Sequence, residues 1–195
     1  MKSERAVLGC RVKSGWTVSV LVGGSVRSPR LYKSDVLNVS DPRNPETPQP
    51  YHAAMGKLET NAATLKRRVQ SVRRATERSI ADLIPRWTDD GCAIDRAALV
   101  VGSVIDPESI ANPHIRAHAL EGRLFRTVLE EALRSRGIQC AIFAEREVYP
   151  RASNLLGQSP VQIRKVIAEL GHSVNGPWRA EQKVAALAVW TSLGP

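Results

Sequence analysis

The densest group of charged side chains lies in the segment LKRRVQSVRRATER, residues 65–78. It holds six cations against the single anion Glu77, and cations on one helix face can bind successive phosphates of a nucleic acid. The whole chain has a net charge of +9 and a pI of about 10.0, which favours a polyanionic partner. A solvated helix face is the alternative. The candidate nucleic-acid-binding residues are Lys66, Arg67, Arg68, Arg73 and Arg74, together with Arg11 and Lys13.

Histidine and cysteine give weaker signals of chemistry. His114 and His118 have the i,i+4 spacing of a metal-binding helix pair, but no third ligand is evident from the sequence. The glutamate that zinc proteases place between such histidines is also missing. Cys10, Cys92 and Cys140 stand among apolar neighbours and form no C-x-x-C pair, so we expect buried, reduced thiols.

Length and composition indicate a single globular domain over residues 1–195. The composition, 43% hydrophobic and 24% charged, is ordinary for a folded protein. No apolar run approaches the roughly 20 residues that cross a bilayer, and the first residues lack a signal-peptide pattern. We therefore expect a cytoplasmic protein of bacterial type with no membrane role.

Five strands are predicted. Residues 6–12, 16–22 and 30–38 are rich in β-branched side chains and are separated by turn-forming glycines and a proline, which suits an antiparallel meander. The apolar run at 97–105 predicts a strand buried on both faces, and 138–144 predicts another. The stretch 40–50 contains four prolines and predicts a loop.

A long amphipathic helix is predicted from about residue 52 to 84, because apolar residues recur at spacings of three and four until Pro85. Its apolar stripe begins at Met55 and continues through Leu65 and Val72. The same spacing fits a heptad seam, so a homodimer is the alternative to packing on the protein's own sheet.

Three more helices follow the predicted fourth strand. Asn112 and Pro113 suit the start of one helix, and Gly137 suits its end. Another helix is predicted from Ser159-Pro160 to Gly171, and a last one from Pro177 to about Ser192. The predicted element order is therefore βββαβαβαα.

This order resembles the ribonuclease H-like fold, and within it the Holliday-junction-resolvase-like proteins of RuvC and YqgF type. The stretch LGCRVKSGWTVSVLV, 8–22, looks like the opening hairpin of the family. AIFAEREVYPRA, 141–152, is similar to a strand-end acidic stretch of the RNA-processing relatives, and RAEQKVAALAVW, 179–190, is similar to the last helix. The resemblance implies an α/β fold: a five-stranded mixed sheet flanked by helices, with a three-strand antiparallel meander and two parallel strands.

The resemblance also implies two-metal-ion hydrolysis of phosphodiester bonds by carboxylates that converge from different strand and helix ends. It makes Asp106, Glu145 and Glu181 the candidate catalytic and metal-binding residues, with Mg²⁺ or Mn²⁺ as the cofactor of an active enzyme. The first strand departs from the family pattern, because Arg11 stands where the family has an aspartate. A guanidinium repels divalent cations, so the resemblance also allows a degenerate site that needs no cofactor.

Each candidate acid has a structural explanation as well. Asp106 precedes Pro107 and suits the start of a turn. Glu181 is favoured near a helix N-terminus by the helix dipole. Glu145 and Glu147 share one side if the fifth strand continues, and their possible ion-pair partners are Arg146, Arg151 and Arg11.

The leading hypothesis is a nucleic-acid-binding protein of resolvase-like fold that has lost catalysis, with DNA or RNA as its partner. Two alternatives stay open. One is a divalent-metal-dependent, structure-selective endonuclease, and the other is a dimeric scaffold protein whose basic surface is incidental.

Overall fold

A single mixed sheet forms the centre of the molecule. The computed structural model describes residues 4–53, 56–89 and 91–193. The strands are β1 (Glu4–Val12), β2 (Trp16–Ser25), β3 (Ser28–Asn38), β4 (Cys92–Val101) and β5 (Gln139–Ala144). Their order is β3-β2-β1-β4-β5; β2 pairs antiparallel with β1 and β3, whereas β4 pairs parallel with β1 and β5. The predicted meander and the two parallel strands are confirmed.

Within the residues that the structure describes, five α-helices cover the two faces of this sheet. They are α1 (Ala62–Thr88), α2 (Pro113–Arg134), α3 (Glu145–Leu156), α4 (Pro160–Leu170) and α5 (Ala180–Trp190). Side chains of α1 and α2 share one hydrophobic core with one face of the sheet, and those of α3, α4 and α5 share a second core with the other face. The result is a three-layer α/β arrangement.

The first helix is shorter at its start than the sequence predicted. It begins at Ala62, where the Asn61 side chain accepts a hydrogen bond from the Thr64 amide at 2.9 Å. It also continues past Pro85 to Thr88, because a proline in the last turn removes only one intrahelical hydrogen bond. The predicted start near residue 52 is wrong, and Met55 lies outside the described residues.

The apolar stripe of α1 packs on the protein's own core. Val72, Ile80, Leu83 and Trp87 are buried in the same cluster as residues of β1, β4 and α2. The interpretation that this helix packs on its own sheet is therefore confirmed.

Two other boundaries differ from the prediction. β4 ends at Val101, and Gly102 to Ile105 are exposed rather than part of the strand. The chain also turns directly from β5 into α3 at Glu145, so an additional helix stands where the sequence suggested a continued strand. The predicted caps of α2 and α4 are confirmed, because Asn112 and Ser159 accept hydrogen bonds from the first-turn amides.

Helix α5 is buried on all sides and lies directly against the middle of the sheet. Gly9 of β1 permits this approach. A Cβ at Gly9 would lie 2.7 Å from the Val189 side chain and 2.8 Å from the Ala185 carbonyl oxygen, closer than such atoms can come. The glycine thus allows the helix to rest on β1, with the first turn of α5 near the carboxyl end of that strand.

The cysteines are only partly as predicted. Cys10 is buried, but Cys92 and Cys140 are half-buried, and all three are thiols. Burial raises the pKa of Cys10 to about 12 and that of Cys140 to about 11. Over the described part of the chain, no helix combines the length and the apolar character needed to cross a membrane.

Candidate functional site

Arg11 lies buried at the carboxyl end of β1, on the face covered by α3 and α5. Its side chain is 3% exposed and forms an ion pair with Glu145. One guanidinium nitrogen donates to the Val12 carbonyl oxygen at 2.7 Å and points toward the Val100 carbonyl oxygen at 3.5 Å. The charge of Arg11 is therefore neutralised by one carboxylate and further stabilised by strand carbonyls.

Glu145 reaches Arg11 because it opens α3 at the end of β5. A carboxylate in a first helical turn is also favoured by the helix dipole. Consecutive helical residues are separated by 100°, so Glu147 points away and pairs only loosely with the exposed Arg146, at 3.8 Å. The expectation that Glu145 and Glu147 share one side is wrong because a helix, not a strand, carries them.

A second ion pair lies at the same end of β1. The Lys13 ammonium lies 3.9 Å from Glu181 Oε1, and each side chain is about one third exposed, at 34% and 31%. Glu181 is in the first turn of α5. Two of the three candidate acids, Glu145 and Glu181, are thus each paired with a cation at or just after the end of β1.

Asp106 lies apart, on the exposed loop after β4. Its side chain accepts a hydrogen bond from the Glu108 amide at 3.2 Å and so caps the short 3₁₀ turn that begins at Pro107. It also lies 3.6 Å from Arg123 of α2 and is 66% exposed. This is the turn role that its position before Pro107 favours.

The residues at the strand ends do not fit a hard divalent cation. Mg²⁺ and Mn²⁺ need several free carboxylate oxygens around one point. Here Glu145 and Glu181 are each paired with a cation, and Asp106, Glu145 and Glu181 do not form a potential metal-binding group within the described residues. We therefore assign no step to a metal at this position.

The five candidate nucleic-acid-binding cations of α1 divide into three groups. Lys66, Arg67 and Arg74 are exposed, as the charge pattern suggested. Arg73 is half-exposed and paired with Glu131 of α2. Arg68 is buried, in contrast to the exposed position that the sequence suggested.

The position of Arg68 on the helix explains its burial. It lies three residues after Leu65 and four before Val72, and so on the edge of the apolar stripe. Its guanidinium contacts Glu46 at 2.6 Å and Glu59 at 3.4 Å, and it donates to the His52 carbonyl oxygen at 3.0 Å. Arg68 therefore holds the loop before α1 in place.

One basic surface extends beyond the predicted residues. A depression of about 220 Å³ is lined by Asp41, Arg43, Ser71, Arg74 and Arg78. Hydrogen bonds from Arg43 lower the pKa of Asp41. Arg43 belongs to the proline-rich loop, where no sequence periodicity marks a side chain as part of a surface.

A larger cavity opens beside the strand ends. Its volume is about 380 Å³, and it lies between α2 and the ends of β1 and β4. Apolar side chains form most of its wall, including Val12, Ile115 and Phe125. Arg11, Lys13 and His118 also line it. Such a cavity can hold a mainly apolar group beside a positive charge.

Comparison with known proteins gives the fold class. No protein-family model and no curated protein sequence matches the chain. A Thermus thermophilus RuvC structure is similar at 12% identity over 95% of this chain and 92% of that one, with a TM-score of 0.56. T. thermophilus RuvC in complex with a Holliday junction substrate is similar at 13% identity, 96% and 91% coverage and a TM-score of 0.53. At these identities the likeness concerns the fold, which is ribonuclease H-like and of resolvase type.

Proposed function

We propose that the protein binds nucleic acid through its resolvase-type fold without hydrolysing it. The proposed absence of hydrolysis rests on the pairing of Arg11 with Glu145 and of Lys13 with Glu181. In a metal-dependent nuclease these carboxylates would have to be free to bind cations. Here Arg11 and Lys13 already supply the positive charge that a metal would bring.

The basic surface of α1 supports nucleic-acid binding. Arg67, Arg74 and Arg78 are exposed and separated by seven and four residues, so they share one face of the helix. At 1.5 Å per residue they span roughly 16 Å, about the length of five phosphates along one strand of B-DNA. Arg43 lies beside them across the depression that contains Ser71.

The similar structure of T. thermophilus RuvC with its Holliday junction substrate makes branched DNA the first ligand to test. The net charge of +9 agrees with any polyanion, so linear duplex DNA and structured RNA belong in the same experiment. Preference among them would define the substrate class.

The test is fluorescence anisotropy with labelled four-way junctions at several salt concentrations. In the triple variant Arg67→Glu, Arg74→Glu, Arg78→Glu we expect at least a tenfold loss of affinity and a shallower salt dependence, because each lost phosphate contact lowers the slope by about one. The matched control reverses Arg146, Arg164 and Lys165, which are exposed on α3 and α4 in the opposite layer, and changes the net charge equally. Equal losses in both variants would mean that only net charge matters and would refute the proposed surface.

The alternatives predict other results. A nuclease would cleave the junction when Mg²⁺ or Mn²⁺ is added, and Glu181→Gln would abolish that cleavage. A dimeric scaffold would bind none of the nucleic acids and would have twice the chain mass in solution. Either outcome would overturn the proposal.

A further inference from the structure

Three histidines from two separate segments meet beside the first half of α2. His114 and His118 lie one turn apart on α2, and His52 comes from the loop before α1. A ring nitrogen of each lies within 4.8 Å of a ring nitrogen of both others. Among the described residues, this trio is the one group of three or more histidine, cysteine, aspartate or glutamate side chains so arranged.

Hydrogen bonds at Nδ1 leave the Nε2 atoms of two of the histidines available. His52 Nδ1 lies 2.7 Å from Glu121 Oε1, and His114 Nδ1 lies 3.0 Å from the Gly56 carbonyl oxygen. A carboxylate or a carbonyl oxygen accepts, so these contacts favour the tautomer with the hydrogen on Nδ1 in both rings. The Nδ1 atom of His118 lies 3.6 Å from Glu121 Oε2, which is too far for a hydrogen bond, so the hydrogen of His118 can reside on either ring nitrogen.

The Nε2 atom of His52 gives the strongest evidence for a bound ligand. The His52 side chain is 9% exposed, and its Nε2 is buried with no hydrogen-bond partner among the described residues. A buried polar atom without a partner is unfavourable unless a ligand occupies the missing position. The other two Nε2 atoms, of His114 and His118, lie 3.3 Å apart, a distance that suits either a hydrogen bond from His118 to His114 or a cation bound by both.

The buried charge of Glu121 also favours a cation at this position. This carboxyl is fully buried, and the ion pairs that the structure describes for it are both with histidines. A cation held by these histidines would offset the buried negative charge of Glu121.

We propose that His52, His114 and His118 bind one divalent cation of the zinc class through their Nε2 atoms, with Glu121 and the Gly56 carbonyl orienting the rings. Imidazole nitrogens bind Zn²⁺ at about 2.0–2.1 Å, so two of them in a tetrahedral site lie roughly 3.3 Å apart. The Nε2 atoms of His114 and His118 lie 3.3 Å apart. Ring centroids in such a site lie about 5 Å apart, and the three distances here are 5.1, 4.4 and 4.7 Å.

The site joins two segments that are distant in the sequence. A metal there fixes the loop around His52 to α2, and Arg68 holds the same loop through the His52 carbonyl oxygen. Three protein ligands leave a fourth position for water or another oxygen ligand. His118 also lines the cavity of about 380 Å³ that Arg11 and Lys13 share. The proposal does not depend on nucleic-acid binding.

The test uses the full chain without a histidine tag, freed of metal with EDTA and titrated with ZnCl₂ by calorimetry. We expect one Zn²⁺ per chain, no competition from excess Mg²⁺, and the visible absorption of tetrahedral Co²⁺ when cobalt is used instead. His52→Ala should weaken Zn²⁺ binding at least 100-fold, and Glu121→Gln should weaken it 10- to 100-fold through loss of ring orientation. His172→Ala, which removes the exposed histidine on the other side of the sheet, is the matched control and should bind as the unaltered protein does.

Two results would overturn the site. One is the absence of stoichiometric Zn²⁺ binding by the unaltered chain. The other is undiminished binding by His52→Ala, which would leave a surface pair of histidines as the whole site. If circular dichroism shows that His52→Ala is unfolded, His114→Ala serves instead, because His114 is exposed and its replacement should leave the fold intact.

Discussion

Arg11 and Glu145 stand 134 residues apart in the sequence and form an ion pair at the carboxyl end of the sheet. The pair is unequal, because Arg11 is 3% exposed whereas Glu145 is 47% exposed. Water can stabilise the glutamate without its partner but can hardly reach the arginine. Arg11 therefore depends on Glu145 more than Glu145 depends on Arg11.

This inequality predicts the effect of Glu145→Gln on stability. The change leaves a buried guanidinium without its counter-charge, and we expect the free energy of unfolding to fall by about 1–2 kcal/mol, less than for a fully buried pair because Glu145 is half-exposed. Glu147→Gln is the control, since Glu147 is exposed and lies 3.8 Å from the likewise exposed Arg146. Urea denaturation measures both. Equal stabilities would show that the pair contributes nothing.

Arg68→Ala should destabilise the protein more than Arg67→Ala. Arg68 is buried against Glu46, Glu59 and two backbone carbonyls, so its removal leaves these groups unsatisfied, at about 2–4 kcal/mol. Its neighbour Arg67 is exposed, and its replacement should change stability by less than about 0.5 kcal/mol. Thermal unfolding of both variants compares the two losses of stability. Equal effects of the two substitutions would show that Arg68 faces solvent.

Gly9→Ala should weaken the packing of α5 on the sheet. The added methyl group would lie 2.7 Å from the Val189 side chain and 2.8 Å from the Ala185 carbonyl oxygen, so we expect a loss of about 1–3 kcal/mol. Gly102→Ala is the matched control, because a Cβ there meets no atom within 4 Å. Adding Val189→Ala should recover part of the loss only if the clash is real, and chemical denaturation can measure that recovery.

Cys10 makes stability fall at alkaline pH. Its thiol has a pKa near 9.0 when unfolded and about 12 when folded, so the folded state keeps the proton longer. The protonated thiol contributes fully to the free energy of unfolding below pH 9. This contribution is lost between about pH 9 and 12, at about 1.4 kcal/mol for each pH unit. Between pH 9 and pH 10, the free energy of unfolding of the unaltered chain should therefore fall by about 1 kcal/mol more than that of Cys10→Ala. Parallel decreases in the two proteins would contradict the burial of this thiol.

Strands and helices that are specified by short stretches of sequence could be predicted. The strands of the meander follow β-branched runs between turn residues, and α2 begins at a capping asparagine followed by proline. Helix α3 was not predictable in this way. Its capping position is Ala144, which offers no side-chain cap, and Pro150 in its interior argues against a helix.

The candidate site was predictable only in part. Arg11 could be found because it breaks a short motif, and the resemblance then gave Glu181 and Glu145 as its neighbours. His52 could not be found, because no periodicity links a loop histidine to a pair on a distant helix. Arg68 was misplaced because six cations within residues 65–78 suggest an exposed helix face, whereas helix geometry puts one of them at the edge of the apolar stripe.

The position of β1 in the sheet has a consequence for folding. One neighbour, β2, follows it after a short turn, whereas the other, β4, begins only after residues 13–91 have been passed. Closing that longer loop costs roughly 3 kcal/mol more chain entropy than closing the turn. The hairpin can therefore form early and locally, while the parallel half of the sheet, and with it the place where Arg11 becomes buried, must wait for a slow, long-range encounter.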